Sequence, residues 1–227
     1  SLDAAYRGAG IYTELAYARF EAETLIKKNA ANKENFLISL GHENWLEAST
    51  KLRVLQYLWH SLLAEHNLPL QKVSATVVFN ANLLHSQDNY NYLLRQNIQC
   101  FLAQSNLYEG IVLAPINDDK IGQHSSGRIS NLLLAESDIT DSIDPLSGNY
   151  VLDFSCLYLA DRIWDKLSQF RNAKNTSQLL DTFISEDLEI LKSKNKKFVG
   201  LNVFPPENAN EVNLDFSKDI NSPLAFK

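Results

Sequence analysis

Short apolar runs alternate with long amphipathic stretches along this chain, and that alternation restricts its fold more than any other feature. Phe-Leu-Ile-Ser-Leu at 36–40 stops at Gly41, and residues 43–65 follow with Leu46, Leu52, Leu55, Leu58 and Leu62 at helical spacing. A run apolar on both faces suits a parallel strand covered by helices, and a 3.6-residue period marks the helix that crosses back. The unit recurs: 73–79 is rich in β-branched residues, 87–104 carries Tyr90, Leu94, Ile98 and Phe101 on one helical face, and 110–114 reads Gly-Ile-Val-Leu-Ala. Further helices are expected over 11–28, 128–137, 151–170 and 177–194, the last capped by Ser177, and 198–202 reads as a final strand. Repeated strand–helix units imply a parallel sheet with right-handed crossovers. Four strands, or five if residues 1–5 form another, fall short of a closed eight-stranded barrel. The expected fold is therefore α/β and TIM-barrel-like but partial over residues 1–204, with 205–227, rich in Asn, Glu, Asp and Pro, as an extended tail or linker.

A chain of 227 residues, 45% hydrophobic and 21% charged, has enough apolar content for one sizeable core. A net charge of −6 and the lack of a basic stripe interleaved with aromatics argue against nucleic acid as a partner. No apolar run reaches the roughly 18 residues that span a bilayer, and no signal-peptide pattern opens the chain. Cys100 and Cys156 lie among apolar neighbours without Cys or His at metal-ligand spacing, so they read as free thiols in a reducing compartment. The expectation is a cytoplasmic protein without membrane or metal. Methionine is absent even at position 1, which reads as a processed or excised portion of a longer protein.

One stretch reads as a tight turn ahead of a helix: Asp144-Pro-Leu-Ser-Gly-Asn-Tyr150, where Pro145 fixes φ and Gly148 permits a positive one. It resembles the Asp-Pro-x-Gly-Gly-Ser-Tyr-Tyr segment of methylmalonyl-coenzyme A mutases, with Ser147 and Asn149 in place of Gly and Ser. Ala9-Gly10 with Glu14-Leu-Ala-Tyr-Ala18 is similar to that family's Ala-Gly-Ala and Glu-Leu-Ala-Tyr segment. The stretch 45–59, which includes Lys51 and Arg53, is similar to its Phe-x-Glu-x-Ala-Lys-x-Arg-Ala-x-Arg-x-Leu-Trp helix. Val199-Gly-Leu-Asn-Val-Phe204 resembles the segment that closes its barrel.

The resemblance implies the second half of a coenzyme-A-binding barrel in an isomerase that interconverts methylmalonyl-CoA and succinyl-CoA. It implies adenosylcobalamin in the holoenzyme, bound elsewhere through an Asp-x-His-x-x-Gly loop that this chain lacks, so no cofactor is expected on this chain. The family's catalytic Tyr-His pair matches Ala4 and Ala5, and its carboxylate-binding Arg-Thr-His strand matches the strand that opens at Ser74. Neither an alanine nor a lone serine replaces a polarising imidazole or a bidentate guanidinium. This pattern resembles the small, noncatalytic subunit of heterodimeric mutases, with a catalytic subunit or a second copy as partner. The alternative is an acyl-CoA-binding or isomerising protein with a changed set of barrel-mouth residues.

Ser39, Ser74 and Thr76 either line a tunnel for an acyl-CoA arm or fill a tapering core. His42 sits where a barrel's catalytic residue would, or simply starts a helix. Asp118, Asp119 and His124 fit no standard ligand set and read as solvated loop. Asp144 reads as a turn former, Trp45, Trp59 and Trp164 read as core residues, and no nucleophile elbow is present.

Overall fold

The computed structural model describes residues 2–28, 35–40, 44–79, 89–106, 108, 110–113, 120–141, 144–193 and 203–204. Among them lies a three-stranded parallel sheet in the order β1 (Asn35–Leu40), β2 (Ser74–Phe79), β3 (Gly110–Val112). The helices are α1 (Leu2–Tyr6), α2 (Ile11–Lys27), α3 (Trp45–Glu65), α4 (Asn89–Ser105), α5 (Lys120–Glu136), α6 (Tyr150–Asn172) and α7 (Thr176–Ser193). The class is thus mixed α/β with parallel pairing, as the alternation requires.

Register divides the sheet into two unlike faces. Phe36, Ile38 and Leu40 pair with Ala75, Val77 and Phe79, and all six are buried in the core. The α3 layer covers this face, where the Trp59 ring meets Phe36 edge-on at 5.5 Å. Leu37, Ser39, Ser74, Thr76 and Val78 alternate onto the other face. Thr76 lies opposite Gly110, and a Cβ at Gly110 would come within 2.6 Å of the Thr76 hydroxyl, so any larger residue there would have to displace the Thr76 side chain.

Outside the sheet, α6 packs across α2 and α3. Leu159, Ile163, Leu167 and Phe170 form its buried stripe, and the Phe170 ring is ringed by Tyr17, Phe20 and Phe183 at 5.4–5.8 Å. These aromatic contacts join α2, α6 and α7 into one core.

Three expectations are corrected. Residues 1–5 do not supply a strand: Leu2–Tyr6 is helix α1, as Ala4-Ala5 favours helix and lacks β-branching. The cap of α7 is Asn175, whose side chain accepts from the Gln178 N–H at 3.2 Å, so Ser177 falls inside the helix. Trp45 is 51% exposed, because it occupies the first position of α3, ahead of the turns that reach the core. The expected strand at 198–202 and the tail at 205–227 lie outside the described residues, as do His42, Asp118 and Asp119.

Candidate functional site

The first turn of α2 faces the second turn of α3 across the end of β1. Glu14 and Lys51 meet there at 2.6 Å with only 1% of each side chain exposed. Glu14 accepts the Ser39 backbone N–H at 3.0 Å, and Lys51 donates to the Ser39 carbonyl. Both backbone groups of one strand residue are thus held by the two halves of a buried ion pair. Unpaired, either charge would carry a large desolvation cost, so the pair fixes the strand and both helices as a unit. Tyr108 lies close by: its hydroxyl donates to the Leu52 carbonyl at 2.9 Å, and burial, reinforced by the Glu14 charge, pushes it well above the ordinary tyrosine value.

Next along α3, Arg53 reaches the Asp144 turn at 2.6 Å. The same Asp144 oxygen accepts the Leu146 N–H at 3.0 Å and the Asp144 carbonyl accepts from Ser147, so the carboxylate is a turn former as expected and an anchor as well. Gly148 takes φ +77°. Asn149 then caps α6, accepting from Val151 and Leu152 at 3.1 and 3.3 Å. Asparagine is among the residues favoured at a helix start, and Asn149 fills that role here. Arg53, Gln56, Asn106, Tyr108 and Asp144 line a cleft of about 290 Å³ floored by Leu52, Val73 and Ala75.

A second charged cluster lies between α2, α3 and α6. Arg19, 1% exposed, meets Glu23 and Glu65, and Arg171 bridges the same two carboxylates. Arg19 and Arg171 lie over the Trp164 ring at 5.7 and 5.9 Å, which places that tryptophan at a charged seam. Burial would raise the Glu23 carboxyl, but hydrogen bonds from Lys27 and Arg171 hold it below its ordinary value. Burial also lowers Arg19, despite its two carboxylates.

The residues singled out in the sequence do not gather at one point. Ala4 and Ala5 are buried in α1, and their methyl side chains offer neither donor nor acceptor. Ser74 and Thr76 are half-buried on the sheet face turned away from α3, which Ser39 shares by register. His124 has Gly127 three positions on, but Gly122 stands where a cobalamin loop carries aspartate, and the histidine is exposed within α5. Among the described residues no three His, Cys, Asp or Glu side chains converge as a metal site, and no helix is long and apolar enough to cross a membrane. Cys100 is buried, Cys156 half-buried, and both are free thiols that burial shifts upward.

Sequence reasoning missed Asp187. From α7 it accepts the Gly10 N–H at 2.8 Å and the Thr13 hydroxyl, and so caps α2. No local signal marks it, since the cap arrives from 177 positions away.

One ion pair therefore links the stretches 14–18 and 45–59 in the interior, and a second, partly exposed one links 45–59 to 144–150. No family model matches the chain. It is 24% identical to the methylmalonyl-CoA mutase of Cereibacter sphaeroides, over an alignment of 174 residues that covers 69% of this chain. The chain spans 24% of that relative's length. This likeness is distant and supports a relationship to the mutases at the level of family.

Proposed function

We propose that the chain is a small-subunit-like, noncatalytic portion of a methylmalonyl-CoA mutase, built on part of the coenzyme-A-binding barrel and acting in the reducing cytoplasm. One observation carries the reading: Glu14, Lys51, Arg53 and Asp144, four charged residues of the resembling stretches, are paired with one another, and three of them also hold backbone groups. They serve the fold. The positions matched to the family's catalytic pair are buried alanines, and a methyl group polarises no carbonyl. Adenosylcobalamin would supply the radical chemistry in the holoenzyme, and no complete Asp-x-His-x-x-Gly stretch that would hold it occurs in this sequence, since Gly122 replaces the aspartate ahead of His124 and Gly127. The chain's own work is to pack against a catalytic mutase subunit.

A second reading, an acyl-CoA-binding or isomerising protein, is favoured by Ser74 and Thr76, small, polar and half-buried on the sheet face away from α3. Calorimetry with methylmalonyl-CoA and succinyl-CoA separates the two. The scaffold reading expects no heat at millimolar thioester, and it fails if either ligand binds near ~1 μM, a binding free energy of about −8 kcal/mol.

A further inference from the structure

We propose that the cleft beside α3 binds a small, planar, uncharged amide. It opens where the chain enters the sheet: Lys72 and Val73 come just before β2, and Asn106 and Tyr108 just before β3. Ala75, on its floor, belongs to the sheet face under α3, whereas Ser74 and Thr76 alternate onto the opposite face. A ligand here is therefore separate from the thioester reading and rests on neither account of the mutase likeness.

Hydrogen bonding selects the amide. Gln56 accepts the Val73 N–H at 3.0 Å and contacts His60, and the Tyr108 hydroxyl donates to the Leu52 carbonyl, so these groups are occupied. The Asn106 nitrogen donates to the Leu102 carbonyl at 2.8 Å and to the Ser49 hydroxyl at 3.3 Å, which fixes the orientation of that side-chain amide. Among the described residues, neither the Asn106 Oδ1 nor the Arg53 Nε has a hydrogen-bond partner, and both atoms are buried. Ser49 and Arg53 stand one turn apart on α3, so the bond to Ser49 brings the orphan acceptor beside the orphan donor. A carboxamide carries the matching pair, a carbonyl for Arg53 and an N–H for Asn106, and relieves the cost of leaving both unmade.

Charge and size narrow the class. Asp144 neutralises Arg53 at 2.6 Å, so an incoming anion would meet that carboxylate, and an incoming cation would meet Arg53 and Lys72. Leu52, Val73 and Ala75 supply an apolar floor suited to a ring. The cleft measures about 290 Å³, against the ~150 Å³ of an apolar cavity that holds benzene, which leaves room for one aromatic ring with its amide. Arg53 is 24% exposed and Lys72 is exposed, and these flexible side chains yield as the ligand reaches the buried pair.

Benzamide is the probe, followed through the backbone amide signals of the full chain. It should bind with a Kd near ~1 mM and shift the Val73 and Tyr108 N–H signals. Benzoate and benzylamine, which put a charge on the same ring, should bind about tenfold more weakly or not at all. N,N-dimethylbenzamide, which keeps the carbonyl and loses the N–H, should be weakened as much. Asn106→Leu should lose benzamide in the same measure, and if that variant does not fold, the dimethyl ligand on the unaltered chain tests the same hydrogen bond. Lys72→Ala should bind benzamide as the parent does. The site is overturned by silence up to ~20 mM benzamide, by equal affinity for benzoate or for the dimethyl ligand, or by shifts confined to the Ser74 and Thr76 face.

Discussion

Ser39 gives both backbone groups to side chains, and those side chains neutralise each other out of reach of water. Replacing Lys51 by Met leaves Glu14 charged and unpaired in the interior, and the expected loss is about 3–5 kcal/mol in urea unfolding. The double replacement Glu14→Leu with Lys51→Met should recover most of it, and equal losses in both would show that the pair is not the cause. Glu23 behaves differently because its carboxyl is held below the ordinary 4.5. Folding then favours the charged form: its contribution is complete above 4.5 and disappears as pH falls through the lowered folded value. Thermal melting should weaken in that acid window, and Glu23→Gln should flatten the change. Glu14 and Lys51 stood out as residues of resembling stretches. Their pairing through Ser39, 25 positions from Glu14, was not readable, because helical period places a residue on a face without saying what meets it.

At the scale of elements, caps and periodicity account for most boundaries. Asn149→Ala should cost about 1 kcal/mol and Asn149→Ser only a few tenths, as caps of this type do. Amide exchange at Val151 and Leu152 would report it locally, and unchanged protection in the alanine variant would contradict the assignment. Strand-versus-helix type was legible wherever the apolar period was clear, as over 36–40 and 45–65. It failed at Leu2–Tyr6, where five residues are too few to display a period. On α4 the sequence revealed the row of Tyr90, Leu94, Ile98 and Phe101, but not that this row faces outward. A helix with two apolar rows offers either to the core, and only the sheet beneath decides.

For the molecule as a whole, α/β alternation and parallel pairing could be read from the sequence, whereas the closure of the fold by side chains from α7 could not. Arg7 meets Asp181 and Gly10 meets Asp187, so the opening helices are held by the last described one. Asp187→Ala should therefore lower protection at the start of α2 while the β1–β2 pairing keeps its own. Equal loss at both places would mean that the molecule opens as one unit.

That clasp bears on how the polypeptide is made. A ribosome delivers α2 long before α7, so α2 leaves the exit tunnel without the carboxylate that caps it, and its start stays frayed until 177 further residues have emerged. Closing so long a loop is slow relative to forming any helix within it. The buried lysine and glutamate near β1 can meet much earlier, once α3 is out. Synthesis thus sets an order in which the charged interior forms first and the clasp to α7 comes last.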